Sequence, residues 1–477
     1  MPADDQGTSV ISYRGATAIV AGCIIGSGIF MKPATMAAQV GSPVWLAVVW
    51  LIAGLFSLCG ALIYAELGAM FPKTGGLYVY FREMYGDFPA FLYGWSGFAV
   101  INSASVAAIA FVCADYSNYF LHIPDLPPEV AGAWELPLPF LGKLYPLQHA
   151  GVKLIAVVLV LGLTWLNYLS VKAGSALQVI STVIKIAALG MLVAGILLSG
   201  KGAAVNFIQP GAMEKHGLAL VSGIISALTG AFMAYDGWIN VTFMAGELQS
   251  PRKDIPRSLT TGLLLSMVVY LLVTAAYLYV LPVDTMAKSP LVAEQAMYAA
   301  LGNVSSTILA AMVVICTFGA VNGNTMAIAR VTYAMGNDRL FFPWTGKDHP
   351  RYRTPGNALW LHGGWAVILV ISGSFDMLAD MFTFVAWVFY LLGGIGFFIL
   401  RRRMPDYPRP YKTWGYPLLP LLFIVFSLFY VISTVWNDVS AFRSGRTPVI
   451  NSLLGLAITA LGLPLYFYFS RKNKKAG

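Results

Sequence analysis

Long apolar runs alternate with short polar connectors along the whole chain. A helix that crosses a bilayer needs about 20 mainly apolar residues, and reading by that length gives about twelve spans. They run Ile11–Met36, Pro43–Met70, Phe88–Phe120, Gly151–Leu169, Gly174–Ser199, Leu218–Gly246, Ser258–Leu281, Val304–Arg330, Asn357–Ser372, Met377–Leu400, Tyr416–Trp436 and Val449–Phe469. The ninth is short and carries His362, Gly363 and Gly364. The pattern predicts an all-α polytopic membrane protein.

Two spans break their own pattern. Span 1 contains Ile24-Ile25-Gly26-Ser27-Gly28, and span 6 contains Gly230-Ala231-Phe232-Met233-Ala234-Tyr235-Asp236-Gly237-Trp238. Glycine removes the steric penalty for leaving helical geometry. In lipid a helix can be interrupted only where protein or a cavity covers the freed backbone groups. Two such breaks, an odd number of spans apart, read as an inverted repeat with a binding site at mid-membrane. The division is then a segment 1–10 before the first span, a first repeat over 11–199, a second over 218–400, two further spans over 416–469, and a tail over 470–477.

Composition agrees with the pattern. The chain has 477 residues, 58% of them hydrophobic and only 11% charged, where soluble domains carry about 25%. Met1 to Val10 is polar and lacks the basic start of a cleaved signal peptide, so the first apolar segment is expected to be a retained span. The net charge of +9 would suggest a nucleic-acid partner in a soluble protein. Here the basic residues sit in short connectors and report topology instead. With the N-terminus inside, Lys73, Arg82, Arg252, Lys253, Arg339, Arg351, Arg401, Arg402, Arg403 and the tail residues Arg471, Lys472, Lys474 and Lys475 are cytoplasmic. The other side receives few, among them Lys32, Lys143, Lys201 and Arg446. Both termini are therefore expected in the cytoplasm, with a Pro-rich external loop from about Leu121 to Ala150.

The chemistry expected at the breaks is recognition of a zwitterion. Gly26, Ser27 and Gly28 would aim free N–H groups and the positive end of a half-helix at a carboxylate. The carbonyl ends near Ile24, Ile25, Phe232 and Met233 would take an ammonium, with Ala234 and Tyr235 beside them. The plainer reading is helix packing through small residues. Asp236 is an acid inside a span, which is costly and marks function by default. It could bind a cation, relay protons, or cap the broken helix. Lys185 lies among Val183, Ile184, Ile186 and Ala187, too deep to reach water easily. Its ammonium could replace a bound sodium ion, carry a proton, or serve structure by bonding backbone carbonyls. Glu66 and Glu247 read as gate or interface ion pairs. Phe384, Trp387 and Tyr390 share one face of span 10, as core or as a substrate wall.

Nothing points to an enzyme. No phosphate-binding loop occurs, and the five histidines show no zinc spacing. Cys23, Cys59, Cys113 and Cys316 lie in apolar segments without paired spacing, so no metal and no cofactor is expected.

The run Gly22-x-Ile24-Ile25-Gly26-Ser27-Gly28-Ile29-Phe30 resembles the first-helix signature of the amino acid–polyamine–organocation superfamily. Tyr64-Ala65-Glu66-Leu67-Gly68, Pro72-Lys73-Thr74-Gly75-Gly76-Leu77-Tyr78, Ala234-Tyr235-Asp236-Gly237-Trp238 and Arg401-Arg402-x-Met404-Pro405-Asp406-x-x-Arg409-Pro410-Tyr411-Lys412 are similar to its L-amino acid transporter branch. The resemblance covers nearly the whole chain. It implies a twelve-helix fold with a five-plus-five inverted repeat and helices 1 and 6 broken. It implies sodium-independent amino acid exchange, with Lys185 at the vacated sodium position. It places Met233 where the family has a gating phenylalanine; Phe232, one residue earlier, would point elsewhere on a regular helix. Asn324 stands where a bacterial exchanger of the branch has a lysine. Animal members bond a heavy chain through a cysteine in the loop after helix 3, and this loop has none, so no disulfide-linked partner is expected.

The expected activity is sodium-independent exchange of neutral L-amino acids by alternating access, in the plasma membrane. Partners are then small amino acids and the lipid bilayer, with no nucleic acid. A proton-coupled symporter, with Lys185 or Asp236 as carrier, is the alternative. An amino acid sensor is the remote one, since Ser470 to Gly477 offers no signalling domain. A cationic substrate would turn to Asp236.

Overall fold

The computed structural model describes residues 11–138, 142–289, 291–302 and 305–476, with side chains left out at 138, 142, 143 and 472–476. The segment 1–10, Val304 and Gly477 lie outside the described residues. So do the side chains of Lys143, Lys472, Lys474 and Lys475.

The first span is two helices, α1 (Tyr13–Ile24) and α2 (Gly28–Val40), bent by 42° across Ile25-Gly26-Ser27. Span 2 is α3 (Pro43–Met70). A short α4 (Leu77–Tyr85), not foreseen, precedes span 3. Span 3 runs α5 (Asp87–Ser96), a π-turn (Gly97–Ile101) and α6 (Asn102–Leu121). The π-turn adds a residue to the helix and frees a carbonyl. The Trp365 indole N–H donates to the Ala99 oxygen at 2.9 Å.

The connector after span 3 carries α7 (Pro128–Ala133) and a hairpin of β1 (Leu136–Leu138) and β2 (Gly142–Leu144), with Leu136 opposite Leu144. Then come α8 (Ala150–Leu169) and α9 (Val171–Leu198). Span 6 is helical only as α10 (Gly217–Tyr235). Asp236 is extended and Gly237 has φ +99°, a value that favours glycine. Beyond them the chain makes only α11 (Asn240–Phe243) and a 3₁₀ turn to Glu247, rather than a helix through Gly246.

The second half follows as α12 (Pro251–Val280), α13 (Val283–Ala287), α14 (Val292–Leu301), α15 (Ser305–Asn337), α16 (Gly356–Ser372), α17 (Phe375–Arg403), α18 (Leu418–Arg443), α19 (Asn451–Ala460) and α20 (Gly462–Ala476). Among the described residues ten helices are long and apolar enough to cross a membrane, or eleven with the bent α1–α2 pair as one. The ninth predicted span, α16, is a helix of 17 residues and falls short of that length. The architecture is that of an all-α polytopic membrane protein.

The inner face of each helix carries the core. Span 3 is buried throughout its apolar window, whereas α18 is buried over only 28% of its own. A helix with its outer face unpartnered suits lipid, where no water competes for the apolar surface. Span 3 therefore stands at the centre of the bundle, and the breaks of spans 1 and 6 lie beside it.

Candidate functional site

Both breaks close on one buried cavity. Cys23, Ile24, Gly26, Ser27 and Gly28 line it from span 1, and Met233, Ala234, Asp236 and Gly237 from span 6. Ser105 and Ile109 of α6, Asn324 of α15 and Phe382 of α17 complete the wall. The cavity measures about 20 Å³, room for a single water. An amino acid needs more, so the site is drawn here in a contracted state.

The glycines make the contraction possible. A Cβ on Gly28 would stand 2.5 Å from the Ala234 Cβ and 2.6 Å from its Cα. A Cβ on Gly237 would stand 3.0 Å from the Cys23 Cβ. The start of α2 is thus pressed onto the end of α10, and the span 6 break onto the end of α1. Gly26 differs: its Cβ would meet the Ala320 Cβ at an ordinary 3.4 Å.

The backbone at the span 1 break splits into two halves of opposite character. Among the described residues the N–H groups of Ser27 and Gly28 donate to nothing. Ser27 is only 2% exposed, and its side chain does not cap α2. Buried N–H groups are nearly always bonded, so two unbonded ones beside a cavity call for a ligand or water. The carbonyl half is already satisfied. Lys185 Nζ donates at 2.8 Å to the oxygens of both Gly22 and Ile25. The Tyr270 hydroxyl lies 2.7 Å from the oxygens of both Ile24 and Ala234. A hydroxyl carries one proton, so those two carbonyls share it. The Ile24 and Ile25 carbonyls, expected to take an ammonium, thus each already accept a donor from the protein and keep one further lone pair. On span 6, Met233 O accepts the Asp236 N–H at 3.3 Å.

Tyr270 escaped sequence reasoning, because one tyrosine in an apolar span has no local signature. Tyr270→Phe should lower the melting temperature of the detergent-purified protein. Each buried carbonyl stripped of its donor costs about 1–3 kcal/mol. A variant that melts with the wild type would show that this hydroxyl holds neither break.

Asp236 borders the cavity, half-buried, with one Oδ accepting from the Tyr390 hydroxyl at 3.1 Å. Among the described residues no cation pairs with it, since Lys185 is committed to span 1. Asn324 accepts from Asn240 Nδ2 at 2.8 Å and donates to Ala320 O at 2.9 Å, which ties α15 to the far side of the span 6 break. Each carboxamide keeps a further donor and acceptor.

The aromatic residues separate into two groups. Met233 faces the cavity. Phe232 does not line it and packs at a 56° tilt against Trp387, ring centroids 4.3 Å apart, in a cluster with Phe426 and Tyr430 of α18. Tyr235 bonds Trp50 O at 3.2 Å, behind the cavity. Phe384 is buried but does not line the cavity; Phe382, two residues earlier on α17, does. Three-residue spacing found a face of this helix, and not the face turned to the cavity. Ser105 and Ile109 were also missed, since they sit beyond the π-turn, which shifts the phase of span 3.

The side of the bundle that holds the N-terminal end of α1 is sealed. Ile11 N donates to Glu247 O at 2.9 Å, and Gln249 N to Ile11 O at 3.0 Å. The Glu247 carboxylate meets Arg330 of α15 at 2.9 and 3.2 Å. Glu66, wholly buried, takes Arg401 at 2.6 and 3.0 Å, Arg409 at 3.2 Å and the Thr413 N–H at 2.7 Å. The readings of Glu66 and Glu247 as ion pairs thus acquire named partners. No group of three His, Cys, Asp or Glu among the described residues could hold a metal ion.

Comparison with known proteins gives the same assignment as the breaks. The chain is 30% identical to the serine/threonine exchanger SteT of Bacillus subtilis, over 97% of this chain and 96% of that one. It is 29% identical to the mouse b(0,+)-type amino acid transporter 1, over 94% and 86%. It is 30% identical to the mouse large neutral amino acids transporter small subunit 2, over 97% and 82%. By their names these are transporters and an exchanger, and none is an enzyme. The family described as amino acid permease matches residues 11–459. From the first span almost to the last, the chain belongs to the amino acid permease family.

Proposed function

We propose that this permease is a sodium-independent exchanger of neutral L-amino acids that works by alternating access across the plasma membrane. The observation that carries the reading is the pair of unbonded N–H groups on Ser27 and Gly28, buried at the start of α2 and facing the unpaired Asp236. Donors at a half-helix N-terminus suit the α-carboxylate. Asp236 suits the α-ammonium. Lys185 occupies the carbonyl cage that a sodium ion would need. The names of the three relatives support amino acids as the cargo.

In the same reading, residues 11–199 and 218–400 form two inverted units, both termini are cytoplasmic, and the sealed side faces the cytoplasm. No disulfide-linked heavy chain joins the protein. Met233, Asn324 and Phe382 border the substrate side chain, while Trp387 backs the wall through Phe232. The unpaired carboxylate of Asp236 also favours a second reading, in which the cargo carries a cationic side chain or a proton.

One experiment separates these. Purified protein in liposomes should take up labelled neutral amino acid only when unlabelled amino acid is inside. Replacing sodium by choline should leave the initial rate within about twofold, a difference below 1 kcal/mol in barrier. A strict sodium requirement would sink the role given to Lys185. Concentrative uptake into empty liposomes, driven by a proton gradient alone, would replace exchange by symport.

A further inference from the structure

The outer faces of α8 and α16 end at one place. On α8 the exposed stripe is Leu154, Val158, Leu161 and Trp165, and on α16 it is Ile371, Ile368, Gly364 and Trp360. Steps of three and four residues keep each stripe on one side of its helix. Both stripes are apolar, as lipid requires, and both stop in a tryptophan. The two indole rings lie 6.1 Å apart. Trp165 is 52% exposed and Trp360 37%, and neither ring N–H has a partner among the described residues. Tryptophan so placed marks the level of the lipid headgroups. The edge is on the sealed side, because α15 runs past Arg330 of the seal to Asn337 and the chain continues there into the connector before α16.

That connector is folded onto the tryptophans and carries cations. Tyr168 stacks on Trp165 and meets the rings of His349 at 5.1 Å and Tyr352 at 5.6 Å. The Thr354 hydroxyl donates to Tyr168 O at 2.7 Å. His349 Nδ1 accepts the N–H groups of Arg351 and Tyr352 at 3.3 and 3.2 Å, and His349 O accepts that of Arg353 at 2.9 Å. Arg353 is held at φ +51°, a left-handed value that is costly for a residue with a Cβ. The turn therefore fixes where Arg351 and Arg353 leave the backbone. Lys172 stands one helical turn beyond Tyr168, at the start of α9. All three cations are exposed, and none meets a carboxylate among the described residues; Arg351 lies over the Tyr352 ring at 5.5 Å. The sequence from Ala150 to Gly200 has no acid at all, and the nearby Asp348 is taken by the Tyr333 hydroxyl at 3.1 Å.

We infer that this corner is a binding site for an anionic phospholipid of the leaflet on the sealed side, with Lys172, Arg351 and Arg353 on its phosphate and Trp165 and Trp360 against the tops of its acyl chains. Guanidinium groups match phosphate oxygens, and free cations beside a membrane attract anionic headgroups. The apolar stripes continue from the cations into the bilayer, so headgroup and chains are met by one continuous surface. A soluble anion would use only the first half of it.

The test is quenching of tryptophan fluorescence in the purified full chain, held in phosphatidylcholine nanodiscs. A minor fraction of phosphatidylglycerol, brominated near the top of its chains, should quench more than the same fraction of brominated phosphatidylcholine. The excess should vanish in Trp165→Phe/Trp360→Phe. In Lys172→Gln/Arg351→Gln/Arg353→Gln the phosphatidylglycerol fraction needed for half of the excess should rise about tenfold or more. Arg252→Gln/Lys253→Gln/Arg257→Gln removes three exposed cations from the start of α12 on the same side, and should shift it less than about twofold. No excess in the wild type overturns the inference, as does an excess that survives loss of both tryptophans. Equal shifts in the two charge variants would assign the effect to the general field of the sealed side, and overturn it too. Inorganic phosphate in the buffer should leave the quenching unchanged; if it abolishes the excess, the corner takes a free anion and the lipid is rejected. Should the charge variant not fold, the tryptophan pair decides alone. None of these readouts requires transport, so the result stands apart from the exchange reading.

Discussion

Lys185→Ala should cut the exchange rate by about a hundredfold, which corresponds to ~3 kcal/mol in barrier. The ammonium of Lys185 is the donor to the oxygens of Gly22 and Ile25, the last turn of α1 before the break. Removing it leaves two buried carbonyls without their donor, at about 1–3 kcal/mol each. It also leaves the space of the side chain between α9 and α1. The N–H groups of Ser27 and Gly28 follow directly in the chain, so their aim is set by that turn. A loss of aim of about 1 Å is enough for such an effect. Counterflow in liposomes, normalised to folded protein, measures it. An alanine variant that exchanges within about threefold of wild type, a difference below 1 kcal/mol, would remove Lys185 from the mechanism.

The glycines of the span 1 break should behave oppositely to each other. Gly28→Ala should abolish substrate binding, because its methyl group would sit 2.5 Å from the Ala234 Cβ and against backbone that cannot yield easily. Overpacking of this kind costs about 1–3 kcal/mol even where side chains can shift, and more against main chain. It would push α2 off α10 and part the two breaks. Gly26→Ala should bind within about threefold of wild type, since a 3.4 Å contact with Ala320 is ordinary packing. Scintillation proximity binding on both variants decides it. Equal losses would mean that flexibility of the break matters and not the contact with Ala234.

Much of the architecture was legible because lipid imposes it. Apolar runs of bilayer length must be helices, and glycines inside them mark where helicity stops. Span 1 and span 6 both break where Gly26-Ser27-Gly28 and Asp236-Gly237 stand. The extent of the second break was not legible. Trp238 to Glu247 is apolar enough to read as helix, yet it folds into short turns packed against α1 and α15. Residues that act by their own chemistry, such as Lys185 and Asp236, stood out against apolar neighbours. Residues that act by position did not. Phe382 and Phe384 differ only in which way a helix face turns, and that is set by packing against spans 3 and 11. Tyr270 bonds two carbonyls that come together only in the folded bundle. The π-turn at Gly97–Ile101 leaves no mark in hydrophobic period, yet it decides that Ser105 and Ile109 reach the cavity.

Cys23 shares the central cavity with Ser27 and Gly28, whereas Cys59, Cys113 and Cys316 do not line it. The protein therefore carries a native thiol on the wall of its central cavity, beside the break of span 1. In the contracted cavity the sulfur is shielded from any reagent larger than water. Each opening of the bundle exposes it for as long as the cavity stays wide. The rate of alkylation by a small polar thiol reagent becomes a clock for that opening. Added from one face of the membrane or the other, the same reagent reports which door is ajar, with no cysteine introduced.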